Sequence, residues 1–207
     1  ETEVHPMSFF QNTCKPSGLG GRLMVKMMNS GHAKLADWGF SQIQAKADAR
    51  VLDAGCGGGA NVAVWLKQCP KGRVTGMDYS EISVAETRKI NDAAIKAGRC
   101  DVVQGNAAAM PFQAETFDVV SAFETVYFWP GLEACFAEVN RVMKRGGMFM
   151  NECDGTNAAD EKWQKMIDGM RIYPEEELRA ALEKAGFTEI ESRRETKKHW
   201  LCMLAKK

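Results

Sequence analysis

The sequence has 207 residues, which is long enough for one domain with a sizeable core, and 45% of them are hydrophobic, as in an ordinary globular protein. Lys and Arg together number 27, as do Asp and Glu, so there is no net charge to hold a polyanion. Charge therefore argues against nucleic acid as a partner, and no apolar run is long enough to span a bilayer.

The seven cysteines are spread through the chain without a C-x-x-C pair. This spacing argues against a zinc site or a disulfide framework, and it favours reduced thiols in a cytoplasmic protein. The polar start of the chain carries no secretory pattern. We therefore expect a cytoplasmic monomer or homodimer with no metal, no nucleic-acid partner and no membrane partner.

Residues 1–48 precede the first predicted strand. Apolar residues at helical spacing predict two short helices there: Leu23, Met24, Met27 and Met28 in the first, and Leu35, Trp38 and Ile43 in the second. The pair can be a structural cover for a sheet edge, or a lid whose flexible methionine side chains adapt to a ligand. We therefore divide the chain into an N-terminal helical cap or lid, 1–48, and a main domain, 49–207.

The stretch from Arg50 to Asn61 combines a strand, a glycine-rich turn and the start of a helix. Val51 and Leu52 end a short apolar run, glycine then recurs at every second position, Gly55, Gly57 and Gly59, and apolar character returns at Val62. Glycine permits positive φ and lets a ligand approach the backbone. The following helix offers free N–H groups and a partial positive charge. This arrangement is typical of a nucleotide-binding start.

Strand-like and helix-like segments alternate from this point to the end of the chain. The predicted strands after the first are 73–77, 100–104, 117–123, 148–152, 187–192 and 200–205, and the predicted helices are 82–97, 132–143, 161–170 and 174–185. Ser80 is the predicted N-cap of the helix 82–97. The segment 144–147, two basic residues and two glycines, is expected to close the helix before it. The alternation predicts an α/β fold with a mostly parallel seven-stranded sheet covered on both faces.

In such a sheet, ligands bind beyond the carboxyl ends of the strands. The second predicted strand ends at Asp78, about twenty residues past the glycine turn, where an acidic side chain can bind both hydroxyls of a ribose. Asp78 can also be only a helix N-cap. Its position directly after an apolar strand favours ribose binding.

The glycine turn alone leaves two cofactor classes open. Gly55-x-Gly57-x-x-Ala60 fits the dinucleotide fingerprint of a nicotinamide-dependent enzyme. Residues 53–59 also fit the pattern D-x-G-x-G-x-G. Four further segments come after it in a characteristic order, at 105–107, 110–112, 117–120 and 138–147. The whole order resembles the class I S-adenosylmethionine-dependent methyltransferases, in particular the small-molecule, methyltransferase-11-like branch with quinone and sterol methylating enzymes. The resemblance covers about residues 45–207 and implies a Rossmann-like fold.

The resemblance also implies which residues bind the cofactor, S-adenosyl-L-methionine, and its product, S-adenosyl-L-homocysteine. The turn would face the methionine part, Asp78 the ribose, Met77 and Tyr79 the adenine face, and Asn106 with Ala107 the adenine edge. Asn106 stands where the family commonly has Asp, and its amide can both accept and donate a hydrogen bond. Phe123 and Glu124 would lie near the transferred methyl group. The expected cofactor-binding set is Asp53, Gly55, Cys56, Gly57, Asp78, Tyr79, Asn106, Ala107 and Phe123.

Methyl transfer from a sulfonium mainly requires that the acceptor is held in line and that water is excluded. A general base is needed only if the acceptor is protonated. The candidates are His32, Glu124, Tyr127, Glu152 and Asp154, and we take His32, Glu124 and Tyr127 as the catalytic set. Each has a plainer alternative: His32 can start a helix, Glu124 can bind only cofactor, and Tyr127 can pack with its aromatic neighbours. In enzymes that the chain resembles, the segment before the first strand covers the site, so 24–38 with His32 is the expected lid.

The predicted function is methyl transfer from S-adenosylmethionine to a small-molecule nucleophile, at O, N, S or C, by in-line displacement. Loops typical of enzymes that methylate DNA bases are absent from the sequence. The alternatives are an NAD-dependent oxidoreductase and a module that binds the cofactor without turnover.

Overall fold

The computed structural model describes residues 33–154, 161–195 and 197–207. Seven strands lie in these ranges: β1 (Arg50–Ala54), β2 (Arg73–Asp78), β3 (Cys100–Gln104), β4 (Phe117–Phe123), β5 (Met143–Cys153), β6 (Thr188–Glu195) and β7 (Trp200–Lys206). The helices in the same ranges are α1 (Ala33–Gln42), α2 (Ala60–Gln68), α3 (Glu81–Ile90), α4 (Asp92–Lys96), α5 (Leu132–Val142), α6 (Glu161–Met166) and α7 (Glu175–Lys184). A short 3-10 helix, Val126–Phe128, follows β4. The first predicted N-terminal helix and His32 lie outside the described residues.

The strands form one sheet in the order β3-β2-β1-β4-β5-β7-β6. The five strands from β3 to β5 in that order run parallel, and β7 is antiparallel to both of its neighbours. Strand order reverses between β1 and β4, which is the point where open α/β sheets bind ligands. The predicted fold, a mostly parallel seven-stranded sheet with a Rossmann-like core, is confirmed.

The two faces of the sheet are covered by separate apolar clusters. One contains Phe136, Phe149 and Leu182, and the other contains Phe40 and Trp65. Phe40 belongs to α1, so the second predicted N-terminal helix packs on the sheet. No helix of the described ranges combines the length and apolar character that crossing a bilayer requires.

The helix predicted over 82–97 is two helices, because Asn91 interrupts it. The Asn91 side-chain amide donates to the carbonyl of Thr87 at 3.0 Å and to the carbonyl of Gly59 at 3.1 Å. The second bond reaches the glycine turn, more than thirty residues earlier in the chain. The break between α3 and α4 therefore serves a long-range contact that helical periodicity does not reveal. Ser80 caps α3, as predicted, and accepts a hydrogen bond from the Ser83 N–H.

Two predicted boundaries near β5 are wrong. The helix expected to end at Met143 ends at Val142, and 144–147 belong to β5, which begins at Met143 rather than Met148. The register shifts where β4 pairs with this segment, and the Lys144 ammonium donates to Asp118 on β4 at 2.8 Å. The basic residue thus pairs across the sheet instead of capping a helix. The helix predicted over 161–170 is also shorter and ends at Met166.

Candidate functional site

A cavity of about 400 Å³ lies at the carboxyl ends of β1, β2, β4 and β5, with part of α1 over it. Of the residues predicted to bind or act on a ligand, those that line it are Gly55, Cys56, Gly57, Met77, Asp78, Tyr79, Asn106, Ala107, Phe123, Glu124 and Glu152. The structure therefore gathers at one place residues that are far apart in the sequence, from 55 to 152. His32 directly precedes α1 but lies outside the described residues.

Hydrogen bonds of its backbone hold the glycine turn, residues 55–59, against β2 and α3. Gly55 has φ of +84°, and its N–H donates to the carbonyl of Met77 at 2.7 Å. The Gly57 carbonyl accepts a hydrogen bond from the Thr87 hydroxyl at 2.9 Å. A Cβ at Gly57 would find nothing within 4 Å, whereas a Cβ at Gly55 would lie 2.6 Å from that of Thr125. The turn is thus packed on one side and open to the cavity on the other.

Asp78 links this turn to the start of α3. One of its carboxylate oxygens accepts from the Gly57 N–H and the other from the Ser80 N–H, both at 2.9 Å. Burial raises the pKa of Asp78, and the two backbone donors oppose that rise. Because Ser80 supplies the helix cap, Asp78 is not the N-cap, and its carboxylate lines the cavity instead.

Asp53 is not among the described residues that line the cavity. Its side chain is buried and accepts a hydrogen bond from the Ser121 hydroxyl at 2.8 Å, and Ser121 in turn accepts from the Trp65 indole at 2.9 Å. Its second oxygen has no partner within the described residues. Burial, the largest cause, raises the pKa of Asp53 to about 7. The structure places this carboxyl in the core behind the glycine turn.

Glu124 follows β4 with a left-handed backbone, φ +54°. One of its carboxyl oxygens accepts from the Asp154 N–H and lies 3.0 Å from the Tyr127 hydroxyl, which also donates to the Asp154 carbonyl. Burial raises the pKa of Glu124 to about 8, against the effect of these donors. Burial also raises the pKa of Tyr127 well above its ordinary value, so the phenol keeps its proton near neutral pH. Tyr127 is not one of the described lining residues and acts on the cavity through Glu124.

Asn106 has a local role besides lining the cavity. Its side-chain oxygen accepts a hydrogen bond from the Ala108 N–H at 2.9 Å, which leaves the amide nitrogen as the donor. An Asp at this position would have no donor to offer.

Glu152 is the lining residue that the predicted catalytic set omits. It lies next to the last residue of β5 and pairs with Phe123 of β4. It is only 1% exposed, and neither of its oxygens has a hydrogen-bond partner within the described chain. Burial first, and then the charges of Glu124 and Asp154, raise its pKa to about 10. The signal in the sequence is an acidic residue that closes an apolar strand.

The α1 helix also contributes lining residues that sequence reasoning did not identify. Ala33, Ala36, Asp37 and Phe40 face the cavity at helical spacing. Gly39 allows the helix to approach the sheet, since a Cβ there would lie 3.1 Å from both the Glu152 Cγ and the Phe123 ring. The helix therefore closes one side of the cavity directly over these two side chains.

The buried Glu152 gives a testable dependence of stability on pH. Because the folded carboxyl holds its proton up to about pH 10 and the unfolded one only to about 4.5, the free energy of unfolding falls as pH rises between these values. Glu152→Gln has no carboxyl to ionise here, so its free energy of unfolding should not fall in this way. We expect it to be more stable than the wild type at about pH 8, by a few kcal/mol in order of magnitude, and to have a similar free energy of unfolding at about pH 4.5. Thermal melts over this range measure the difference. The exposed Glu183→Gln should show no such trend, and a constant Glu152→Gln effect would contradict a buried neutral carboxyl.

Comparisons with known proteins agree with this geometry. The family model described as a methyltransferase domain matches residues 52–151. The 24-methylenesterol C-methyltransferase 3 of Arabidopsis thaliana is 36% identical over 109 residues, which cover 53% of this chain and 30% of that protein. The chain spans about a third of the length of the curated relatives it matches.

Solved structures show the same fold. A SAM dependent methyltransferase from Aquifex aeolicus has a TM-score of 0.74 at 18% identity, with 89% of this chain and 97% of that chain covered. Geranyl diphosphate C-methyltransferase from Streptomyces coelicolor A3(2) has a TM-score of 0.72 at 16% identity, with 84% and 79% covered. The solved structures share the fold, and the methyltransferase-domain match over residues 52–151 together with the sterol C-methyltransferase relatives supports the assignment of the chain to the class I S-adenosylmethionine-dependent methyltransferases.

Proposed function

We propose that this protein transfers the methyl group of S-adenosylmethionine to a small-molecule nucleophile. The observation that carries the proposal is the Asp78 carboxylate, which lines the cavity while it holds the N–H of Gly57 in the glycine turn. The residues fit the cofactor, because the turn is open on the cavity side and an acidic side chain stands where a ribose diol would bind.

Each part of the cavity has a proposed role toward the cofactor. The turn from Gly55 to Gly57, with Cys56 between them, would face the methionine part, and Asp78 the ribose. Tyr79 would cover the adenine, with Asn106 and Ala107 at its edge. Phe123 and Glu124 would lie near the transferred methyl group. Since Asp53 is buried behind the turn, we propose that it supports the turn rather than contacting the ligand.

When bound, the cofactor supplies an activated methyl group on a sulfonium with a neutral leaving group. The chain then has to hold the acceptor in line and exclude water. The apolar side chains of Phe40, Phe123 and Trp129 line the cavity and would exclude water from it. Glu124, oriented by the Tyr127 hydroxyl, is a candidate to bind the acceptor or take its proton. His32 remains a candidate of the same kind outside the described residues.

The names of similar proteins support a small-molecule acceptor. Sterols and geranyl diphosphate are named for the Arabidopsis and Streptomyces proteins, and the latter was solved with S-adenosyl-L-homocysteine. The neutral charge of this chain supports the absence of nucleic acid among its partners. All six described cysteines are free, which supports a reducing, cytoplasmic location. A monomer or homodimer remains the proposed assembly.

We also propose that residues 1–48 form a cap over the cavity and that 49–207 form the methyltransferase domain. The support is α1, whose Ala33 and Phe40 line the cavity from above the sheet. The segment 24–32 lies outside the described residues. Hydrogen exchange over 18–40 that slows on addition of S-adenosylhomocysteine would distinguish a closing lid from a fixed cover.

Titration calorimetry tests the cofactor. We expect S-adenosylmethionine and S-adenosylhomocysteine to bind at micromolar concentrations and NAD not to bind. A panel of amines, phenols and thiols, assayed by release of S-adenosylhomocysteine, then tests turnover. Binding of NAD alone would support the oxidoreductase, and cofactor binding without turnover on any acceptor would support the binding module. Neither result is compatible with the proposed function.

A further inference from the structure

The carboxyl groups that line the cavity have no basic side chain among their described neighbours in the lining. Within the described residues they are Asp37, Asp78, Glu124 and Glu152, and no Lys, Arg or His lines it. Asp78 has two backbone donors, and Asp37 is exposed on α1. The remaining two carboxyls, Glu124 and Glu152, lie on neighbouring strand ends where Phe123 and Glu152 meet across the β4–β5 pair. This end of the cavity is suited to a positively charged or hydrogen-donating ligand.

Glu124 and Glu152 have different surroundings. Glu124 accepts a hydrogen bond from the Asp154 N–H and shares the Tyr127 hydroxyl with the Asp154 carbonyl, and both donors oppose the rise of its pKa. Glu152 accepts none within the described chain, although it is 99% buried and lines the cavity. Among the described residues, the titratable groups that interact with Glu152 are Glu124, Asp154 and the thiols of Cys153 and Cys202, and none of them is a cation. Glu152 is therefore a buried acceptor without a donor.

We propose that the methyl acceptor is a small amine whose nitrogen binds the Glu152 carboxyl beside the Phe123 ring. This inference rests on the methyl transfer proposed above. An ammonium group supplies both the missing donors and the missing positive charge, and it is attracted by aromatic faces such as that of Phe123. A phenol or thiol supplies a single donor and no charge, so it matches the two carboxyls less well.

The chemistry balances with these groups alone. Binding of the alkylammonium expels to solvent the proton that Glu152 holds in the free protein, so that a carboxylate faces the ammonium. The ammonium then transfers one N–H proton to this carboxylate, which frees the nitrogen lone pair. The nitrogen then attacks the methyl carbon, so that a C–N bond forms as the S–CH₃ bond breaks. S-adenosylhomocysteine leaves as a neutral thioether, and the product is a methylated ammonium ion. Glu152 keeps the transferred proton as the product departs, which restores the protonated carboxyl of the free protein.

Binding of a matched pair of probes to the S-adenosylhomocysteine complex tests the proposal. We use benzylamine and benzyl alcohol, which differ only in the polar group, and titrate each at about pH 8. We expect the amine to bind at least about tenfold more tightly than the alcohol to the wild type. In Glu152→Gln that preference should disappear, and in the exposed control Glu183→Gln it should persist.

Proton release gives a second readout that a merely structural role would not move. Since the pKa of Glu152 is raised to about 10, its carboxyl is protonated before the amine arrives at about pH 8. Calorimetry in buffers of different ionisation enthalpy should therefore detect roughly one proton released per benzylamine bound to the wild type. Glu152→Gln should release clearly less, at most the fraction of a proton that Glu124, with its pKa raised to about 8, still holds. Benzylamine should also be methylated, with a raised KM in the variant.

Other outcomes overturn the inference in distinct ways. Failure of benzylamine to bind at millimolar concentration, equal affinities for the two probes, or an amine preference retained by Glu152→Gln would each do so. If Glu152→Gln loses affinity for S-adenosylmethionine but keeps that for S-adenosylhomocysteine, the carboxyl serves the sulfonium instead of an acceptor. If the wild type does not bind S-adenosylhomocysteine at all, the proposed function fails before the amine is tested.

Discussion

Asp78→Ala should weaken the binding of S-adenosylhomocysteine by roughly 10- to 150-fold, because one charge-assisted hydrogen bond contributes about 1.5–3 kcal/mol. The variant loses more than a ribose contact. The same carboxylate accepts from the N–H of Gly57 and of Ser80, so its removal also releases the turn from the start of α3. We expect the upper part of the range for this reason. Isothermal titration of the purified variant gives the dissociation constant directly.

Two further variants separate the ligand contact from general damage. Asp78→Asn keeps the shape and one acceptor oxygen, so its loss of affinity should be smaller than that of alanine. Asp92→Asn removes an exposed carboxylate that pairs with Lys96 on α4, and its affinity should equal that of the wild type. A folded Asp78→Ala protein with an unchanged dissociation constant would remove Asp78 from the site.

Gly55→Ala is the substitution that we expect to reduce both stability and ligand binding most strongly. A left-handed backbone costs a residue with a Cβ about 1–2 kcal/mol, and overpacking adds about 1–3 kcal/mol. Gly55 has φ of +84°, and the new Cβ would lie 2.6 Å from that of Thr125. The turn has to move away from Thr125, which displaces the backbone that lines the cavity. Urea denaturation and titration with S-adenosylhomocysteine measure the two effects.

Gly98→Ala is the matched control for this substitution. Gly98 also has positive φ, +71°, but a Cβ there would meet nothing within 4 Å. It should lose only the backbone contribution of about 1–2 kcal/mol and bind ligand normally. Equal destabilisation by the two alanines would show that the Thr125 contact is not the cause.

Much of the fold follows from local sequence patterns. The strands at 100–104 and 117–123 coincide with the predicted ones, because short apolar runs bounded by polar and turn residues specify buried parallel strands. The errors occur where distant residues decide the backbone. Asn91 breaks a helix to reach Gly59, and Lys144 joins a strand to pair with Asp118. Neither partner lies within a window that periodicity can examine.

For the candidate site, the sequence predicts the location but not the surroundings of every side chain. Its expected location follows from the rule that ligands bind at strand ends, and in the structure Asp78 and Glu124 both line the cavity at these ends. The sequence does not reveal that Asp53 turns into the core toward Ser121, or that Glu152 remains without a donor. Both depend on which side chains the packed sheet brings together.

The glycine turn is already fixed in place before a ligand binds. Its groups are already bound before any ligand arrives: the Gly57 carbonyl by Thr87, the Gly57 N–H by Asp78, and the Gly59 carbonyl by Asn91. A loop fixed in this way has little conformational entropy left to lose, so its ordering subtracts little from affinity. The irregularity in the helix at Asn91 thus preorganises a segment whose glycines would otherwise make it the most flexible part of the cavity wall.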